Sequence, residues 1–307
     1  MVPIRERVWC CRLLNLQGFM DMVSGLTLTP EVRQNLEGVP LKRKRLLVSG
    51  DTGIIQIRGL LMDSVPWWMS LIRYDATGYD EIQRMCVEAV ERDDIKHIRL
   101  DIESQGGMMS GSIECAETLC ALGGRKQSME ARITNLCASG AYLLASQASR
   151  ITCNQTALVG SLGVYMTVAD SFVMHENAGV KINVVKSGEH KGRGVTGSKV
   201  TDRHIEDLQR NVNSLADIFI NHVASGRGVA SSRIRELSTG ALWVGQEAKH
   251  RRLVDEVRDA GKEVSFMDKA QSMSVKQGIT LKEAMSQLAK QDPEEYAEHK
   301  VEKRFSK

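Results

Sequence analysis

Hydrophobic and polar residues follow two different periods along the central part of the chain. Residues 53–59 are rich in β-branched side chains and end in glycine, which predicts a strand. Residues 79–93 carry apolar side chains at helical spacing with charges between them, which predicts an amphipathic helix. Residues 95–102 again have the pattern of a strand. This alternation of strand and helix is typical of α/β proteins.

The alternation continues toward the C-terminus. The pattern predicts strands over 128–133, after the glycine turn at 160–164, over 182–185 and over 253–257. It predicts helices over 8–22, over 108–122 after a turn at Gly106-Gly107, directly after Ser139, over 201–225 up to Gly226, over 231–237 and from 243 onward. A capping box of Thr280 and Glu283 predicts a further helix to Lys290, and a last helix start lies at 292–295.

Composition favours one large folded unit. The chain has 307 residues and 42% hydrophobic content, enough for a full core. Between Trp67 and Asp292 there is no proline and no low-complexity linker. We therefore predict a domain over 46–258, preceded by a helical arm over 1–45 and followed by a helical tail over 259–307.

Charge and cysteine content argue against several classes of function. The net charge is only +3, and the one basic run, residues 42–45, is typical of a solvated segment, so no nucleic-acid partner is expected. Seven cysteines lack metal-ligand spacing, which predicts buried free thiols in a reducing cytoplasm and no metal or other cofactor. No run of eighteen apolar residues occurs, so we expect no signal peptide, anchor or membrane contact.

Ser139 is the candidate nucleophile. It lies among small residues between a predicted strand and a predicted helix, so that its hydroxyl would be exposed at a helix N-terminus. Unpaired amides and the helix dipole there favour developing negative charge. A serine that merely caps a packed helix would have the same local pattern, so this stretch alone leaves both interpretations open.

A second strand-to-helix connection lies at Gly106-Gly107. Two such units of a parallel sheet bring their connections to the same sheet edge. An amide from this pair and the amide of Gly140 could then form a two-donor oxyanion hole. The glycine-flanked loop 186–192 offers two lysines and a histidine as candidate bases.

Five segments together resemble one family. They are Gln-Gly-Gly (105–107), Ala-Ser-Gly-Ala-Tyr-Leu-Leu-Ala-Ser (138–146), Gly-Ser-Leu-Gly-Val (160–164), Lys-Ser-Gly-Glu-His-Lys (186–191), and Gly-Gln-Glu-Ala with Leu-Val-Asp-Glu (245–256). In order and spacing this set is similar to the signal peptide peptidase A family of serine peptidases, and within it to the head maturation proteases of bacteriophages. The resemblance covers residues 53–257.

The resemblance implies a ClpP/crotonase-like α/β fold with repeated ββα units and a Ser–Lys dyad. By position, Ser139 matches the nucleophile, Lys191 the general base, Gly107 and Gly140 the oxyanion hole, and Ser161 a hydroxyl that helps to hold the lysine. A lysine can act as a base only when burial lowers its pKa. Two departures from the family pattern are Gln105 in place of proline and Arg252 in place of glycine.

The resemblance also implies biological partners. It indicates protein substrates among capsid scaffold or portal proteins, a homo-oligomeric ring in which neighbouring subunits complete the dyad, and a location in the host cytoplasm. The tail would recruit the protein to the capsid assembly.

Alternatives stay open at this point. They are a bacterial cytoplasmic protease related to signal peptide peptidases, a Ser-His-Asp peptidase with His175 or His190 as base, a crotonase-type acyl-CoA enzyme, and a non-enzymatic assembly factor on the same fold.

Overall fold

A computed structural model describes residues 9–11, 46–66, 69, 75–126, 128–258, 273 and 280–291 of the chain. The strands are β1 (Trp9–Cys11), β2 (Leu47–Ser49), β3 (Thr52–Met62), β4 (Ala76–Gly78), β5 (His97–Met108), β6 (Ser128–Ala138), β7 (Arg150–Asn154), β8 (Leu158–Gly160), β9 (Leu242–Val244) and β10 (Glu256–Arg258). The helices are α1 (Tyr79–Glu91), α2 (Ser112–Gly123), α3 (Gly140–Ala145), α4 (Phe172–Asn177), α5 (Asp202–Arg227), α6 (Ser231–Leu237), α7 (Gly245–His250) and α8 (Leu281–Gln291).

The strands form one mixed sheet with the order β10-β7-β6-β5-β3-β2. Strands β3, β5, β6, β7 and β10 pair in parallel, whereas β2 is antiparallel to β3. Two shorter strands lie off this path, since β4 pairs with β3 and β8 pairs with β6. The predicted α/β class is therefore confirmed, with helices connecting most of the parallel strands.

The core lies between the central strands and their connecting helices. Apolar side chains of β3 and β5, such as Ile55, Ile57, Leu100 and Ile102, are fully buried. Helix α1 packs against α2, and α2 packs against α3 and the long helix α5. Along β5 these apolar side chains alternate with charged ones, so the side of this strand that faces the core is apolar.

The double glycine at 106–107 is not a turn. The strand β5 continues through both glycines to Met108, because β3 pairs with this part of β5 after a register shift near Gly59. Helix α2 accordingly begins at Ser112, four residues later than the pattern predicts. Gly106 has a φ of 89°, a conformation that glycine adopts without strain.

Two predicted strands are absent from the part of the chain that the structure describes. Residues after Gly163 form no strand beyond a single bridge position at Tyr165, and residues 182–185 form none. Helix α4 lies in this exposed segment instead. At the N-terminus, residues 9–11 are a strand where the pattern predicts a helix, since their backbone pairs with β5.

Helix α5 ends two residues later than predicted, at a C-cap Gly228 with a φ of 61°. Gly226 serves close packing instead, since a Cβ there would lie 2.3 Å from the Ser146 carbonyl oxygen. The predicted capping box is confirmed, because Glu283 accepts a hydrogen bond from the Thr280 amide at 2.9 Å. The predicted helix start at 292–295, the basic run at 42–45 and the remainder of the arm lie outside the described residues.

Candidate active site

Ser139 lies at the connection between β6 and α3. Its backbone has φ 53° and ψ −119°, which a residue with a Cβ atom rarely adopts. A similarly sharp connection between a strand and a helix holds the nucleophilic serine at a strand end in α/β hydrolases. Ser139 is only 2% exposed, so the expectation of an exposed hydroxyl is wrong for the single chain.

The connection at 160–163 lies directly beside Ser139. The Ser139 amide donates to the Gly160 carbonyl at 2.7 Å, and the Ser139 hydroxyl donates to the Gly163 carbonyl at 3.3 Å. Ser161, the predicted lysine-positioning residue, stands between these two glycines with a φ of 50°, and its amide donates to the Ala241 carbonyl at 2.6 Å. The structure therefore brings Ser161 and Ser139 into the same site.

Helix α3 is fixed by buried hydrogen bonds. All six of its residues are buried, and the Tyr142 hydroxyl donates to the Leu253 carbonyl at 2.7 Å. Burial raises the pKa of Tyr142, so its hydroxyl stays a donor. This contact gives the Leu-Val-Asp motif a structural role, because it ties the C-terminal segment to the helix that follows Ser139.

Asp255 of the same motif fastens the neighbouring elements. Its carboxylate pairs with Arg227 at 2.6 Å and accepts a hydrogen bond from the Ile151 amide at 2.7 Å. Burial raises the pKa of Asp255, but the hydrogen bonds from Arg227 and Ile151 outweigh it, and the net pKa lies below the ordinary value. The end of α5, strand β7 and the residues before β10 are thereby held together.

The two glycines of the proposed oxyanion hole follow neighbouring strands. Ser104 of β5 pairs with Cys137 of β6; Gly107 lies three residues after Ser104, and Ser139 lies two residues after Cys137. A Cβ at Gly107 would lie 1.8 Å from the Leu61 carbonyl oxygen, so only glycine fits against β3 here. Gly140 is buried as the first residue of α3.

Ser104 shapes this glycine pair and was missed as a functional residue. Its hydroxyl donates to the Gly59 carbonyl at 2.6 Å and accepts from the Gly106 amide at 3.0 Å. The Ser104 hydroxyl thereby supplies hydrogen bonds to backbone groups at the point where the register of β5 with its neighbouring strands shifts. A serine two residues ahead of a double glycine is the sequence signal that could have revealed this role.

Strand β1 lies along the glycine end of β5. It pairs antiparallel with Gly106, Gly107 and Met108, where β6 no longer pairs with β5. Cys10 is opposite Gly107 in this register. The arm therefore reaches the proposed oxyanion strand, which its sequence did not indicate.

Lys191 does not contact Ser139 within one chain. Among the residues that the structure describes, Ser139 Oγ has the Gly163 carbonyl as its hydrogen-bond partner. Lys191 is exposed in the loop between α4 and α5, where its amide donates to the Gly188 carbonyl at 3.1 Å. The structure thus places Ser139 near Ser161 and near the proposed oxyanion-hole residues Gly107 and Gly140, whereas Lys191 lies at the surface.

The two candidate histidines also lie away from Ser139. His175 has its Nδ1 2.9 Å from the Ser171 carbonyl oxygen in α4. His190 has its Nδ1 3.1 Å from Asp207 Oδ2, so an orienting acid exists that the sequence did not reveal. Asp207 lies on α5, seventeen residues beyond His190.

Other reactive groups do not compete with Ser139. Burial raises the pKa of Cys137 well above its ordinary value, so this neighbouring thiol stays protonated. Cys86, Cys115, Cys137 and Cys153 are buried and unpaired as expected, whereas Cys120 is exposed. Within the described ranges, no three His, Cys, Asp or Glu side chains are grouped to hold a metal ion.

Comparison with known proteins identifies the class. The sequence model of Peptidase family S49 matches residues 125–274, which contain Ser139, Ser161 and Lys191. This match confirms the resemblance to a family of serine peptidases. No helix among the described residues is both long and apolar enough to cross a membrane.

Individual relatives include bacteriophage proteins. The capsid assembly protease C of Escherichia phage lambda is 28% identical over 275 residues, 86% of this chain and 62% of that protein. The head-tail preconnector protein GP5 of Enterobacteria phage P21 is 31% identical over 216 residues, 69% of this chain and 42% of that protein. A putative signal peptide peptidase SppA of Enterococcus faecium is 27% identical over 163 residues, 53% of this chain and 47% of that protein. The chain thus spans less than two thirds of the length of each of these relatives.

Proposed function

We propose that this chain is a serine endopeptidase that uses Ser139 as its nucleophile. The observation that carries the proposal is the strained Ser139 backbone between a buried strand and a buried helix, with φ 53°. A merely structural cap would not need this conformation, because an N-cap serine ordinarily has extended backbone angles. The match to a peptidase family over 125–274 supports the same reaction.

The chemistry follows from the groups around Ser139. A neutral amine takes the proton of the serine hydroxyl while Oγ attacks the peptide carbonyl. The amides of Gly107 and Gly140 are the proposed donors to the oxyanion that forms. The protonated amine then returns its proton to the leaving nitrogen, and water hydrolyses the acyl-enzyme by the same route.

Lys191 is the proposed base, acting on Ser139 of a neighbouring subunit in a homo-oligomeric ring. The exposed segment that carries it supports this arrangement. Val173, Met174 and Val185 of this segment are 62%, 64% and 98% exposed, which is unusually high for apolar side chains. Packing against a neighbour would cover them and would take the amine out of water, which a lysine base requires.

A histidine base is the second candidate, favoured by one observation. His190 and Asp207 have the carboxylate–imidazole contact that orients the base in Ser-His-Asp enzymes, at 3.1 Å. His190 is the residue directly before Lys191, so the same contact between subunits could deliver either side chain. Substitutions at the two positions distinguish the two mechanisms.

The test compares three single substitutions in the full chain. Ser139→Ala and Lys191→Ala should each abolish cleavage of an unfolded protein such as casein, while His190→Ala should retain part of it. Because the dyad acts as a unit, the double variant should be no worse than either single variant. An active Ser139→Ala chain would refute the proposal, and an inactive His190→Ala chain beside an active Lys191→Ala chain would favour the histidine.

Mixing inactive chains tests the shared site. Ser139→Ala and Lys191→Ala subunits should regain part of the activity when they exchange into mixed rings, because one intact pair then forms at some interfaces. Subunit exchange without regained activity would indicate dyads formed within one chain.

We propose capsid scaffold or portal proteins as substrates, in the cytoplasm of a bacterial host. The names of the phage relatives, which refer to capsid assembly and to the head-tail connection, support this choice. Mass spectrometry of chain ends after co-expression with such proteins should reveal new termini that the Ser139→Ala chain does not produce. Identical termini in both samples would exclude these substrates.

A further inference from the structure

Asp207 collects three basic side chains at the N-terminal half of α5. Its carboxylate forms ion pairs with Arg193 and Arg210 and lies 3.1 Å from His190 Nδ1. The Asp207 and Arg193 side chains are each only 14% exposed. A pair this enclosed differs from the solvated ion pairs of a protein surface, which contribute little to structure.

A second carboxylate ties the same loop to the same helix. Glu189 pairs with Arg203 of α5 at 2.5 Å, and the Lys186 ammonium donates to the Glu189 carbonyl at 2.8 Å. The Lys191 amide closes a turn on the Gly188 carbonyl. Charged contacts therefore fix both ends of residues 189–193 against α5.

In the sequence, Lys191 lies between the two loop residues that contact Asp207. His190 precedes it and Arg193 follows two residues later, whereas Lys191 itself is exposed and enters no ion pair in the part of the chain described here. A base must reach the nucleophile in one defined position, and a displacement of about 1 Å can cost roughly 100-fold in rate. A glycine-rich loop samples many conformations unless other contacts hold it in one.

We propose that Asp207 is a positioning residue, which anchors the loop through His190 and Arg193 so that Lys191 is presented in one orientation. This inference rests on the proposed function, because it presumes Lys191 as the base. In this role Asp207 touches neither substrate nor Ser139. It acts only through the loop.

The test is Asp207→Asn in the full chain, with Glu206→Gln as the matched control. Glu206 precedes Asp207 on the same helix, is exposed, and loses the same charge in its variant. With casein as substrate, Asp207→Asn should lower kcat about 10- to 100-fold with KM within twofold of the parent. Asp207→Glu keeps a carboxylate and should recover most of the rate, and Glu206→Gln should match the parent.

Parallel variants separate the possible failures. If Lys191→Ala is inactive and a folded Asp207→Asn chain keeps the parent kcat, the positioning role is overturned while the dyad stands. If Lys191→Ala stays active, the dyad is wrong and the positioning role falls with it. Should the asparagine variant also lose thermal stability, the glutamate variant decides, because a stable glutamate chain with no recovered kcat contradicts the proposal.

Discussion

Replacing Ser139 by glycine should stabilise the protein relative to replacing it by alanine. Both substitutions remove the hydroxyl and its 3.3 Å hydrogen bond to the Gly163 carbonyl, so they differ only in the Cβ atom. That Cβ is the source of strain at φ 53° and ψ −119°. The comparison therefore isolates the energetic cost of holding a non-glycine residue at this connection.

The magnitude follows from two opposing terms. A non-glycine residue in a sparsely populated backbone region costs about 1–3 kcal/mol, which glycine would relieve. Glycine also loses more backbone entropy on folding, which costs about 0.5–1 kcal/mol relative to alanine. Subtracting the second term from the first leaves Ser139→Gly between roughly zero and 2.5 kcal/mol more stable than Ser139→Ala.

Ser214 provides the control. It is exposed in the middle of α5, where its hydroxyl donates to the Arg210 carbonyl at 3.0 Å. In an ordinary helical position, glycine should be about 1 kcal/mol less stable than alanine. Urea unfolding of the four variants at one protein concentration gives both differences.

The two positions should therefore show opposite signs. If Ser139→Gly were less stable than Ser139→Ala by the same margin as at Ser214, the Ser139 backbone would be unstrained. The backbone at this connection would then give no reason to assign Ser139 as the nucleophile. Activity cannot substitute for this measurement, because neither Ser139 variant has a nucleophile.

Three further predictions concern the glycine pair, the C-terminal motif and the tail. Gly107→Ala would place a Cβ 1.8 Å from the Leu61 carbonyl oxygen, so kcat for casein should fall about 100- to 1,000-fold, whereas Gly124→Ala, with nothing within 4 Å, should keep the parent rate. Asp255→Asn should destabilise the chain by about 1–3 kcal/mol near neutral pH in urea unfolding. Because the folded-state pKa of Asp255 is depressed, its contribution is present above the unfolded pKa of about 3.9 and is lost as the pH falls through the folded pKa, so a deficit that persists unchanged at acidic pH would contradict the assignment. Ending the chain after Arg258 should leave casein cleavage intact but weaken co-purification with capsid or scaffold proteins; equal loss of both would assign the tail to the catalytic fold.

Periodicity predicted the elements whose partners are close in the chain. Strand β3 and helices α1 and α5 lie close to where the pattern places them, although α5 buries apolar side chains fully only in its C-terminal half. Residues 182–185 have the composition of a strand but no neighbouring strand to bond with. Val184 and Val185 are instead exposed, at 37% and 98%, and composition alone cannot distinguish these two outcomes.

In the candidate site, too, local features could be predicted from the sequence, whereas contacts between distant residues could not. The positions of Ser139 and Gly140 could be predicted, since the connection from strand to helix is local. The partnership of His190 with Asp207 could not, because it joins a loop to a helix through side chains with no shared period. The contact between Lys191 and Ser139 is harder still, because we propose that it forms between chains and depends on how subunits pack.

The pairing of β1 with β5 has a consequence for measured peptide affinities. The backbone groups of Gly106, Gly107 and Met108 on the β1 side can bond with one extended strand at a time. Because β1 belongs to the same chain, its effective concentration there is on the order of millimolar. An extended peptide that binds at this edge must displace it, so the apparent affinity measures a difference between two strands. Two proteins with identical active sites but different arm sequences would then show different apparent affinities for the same peptide.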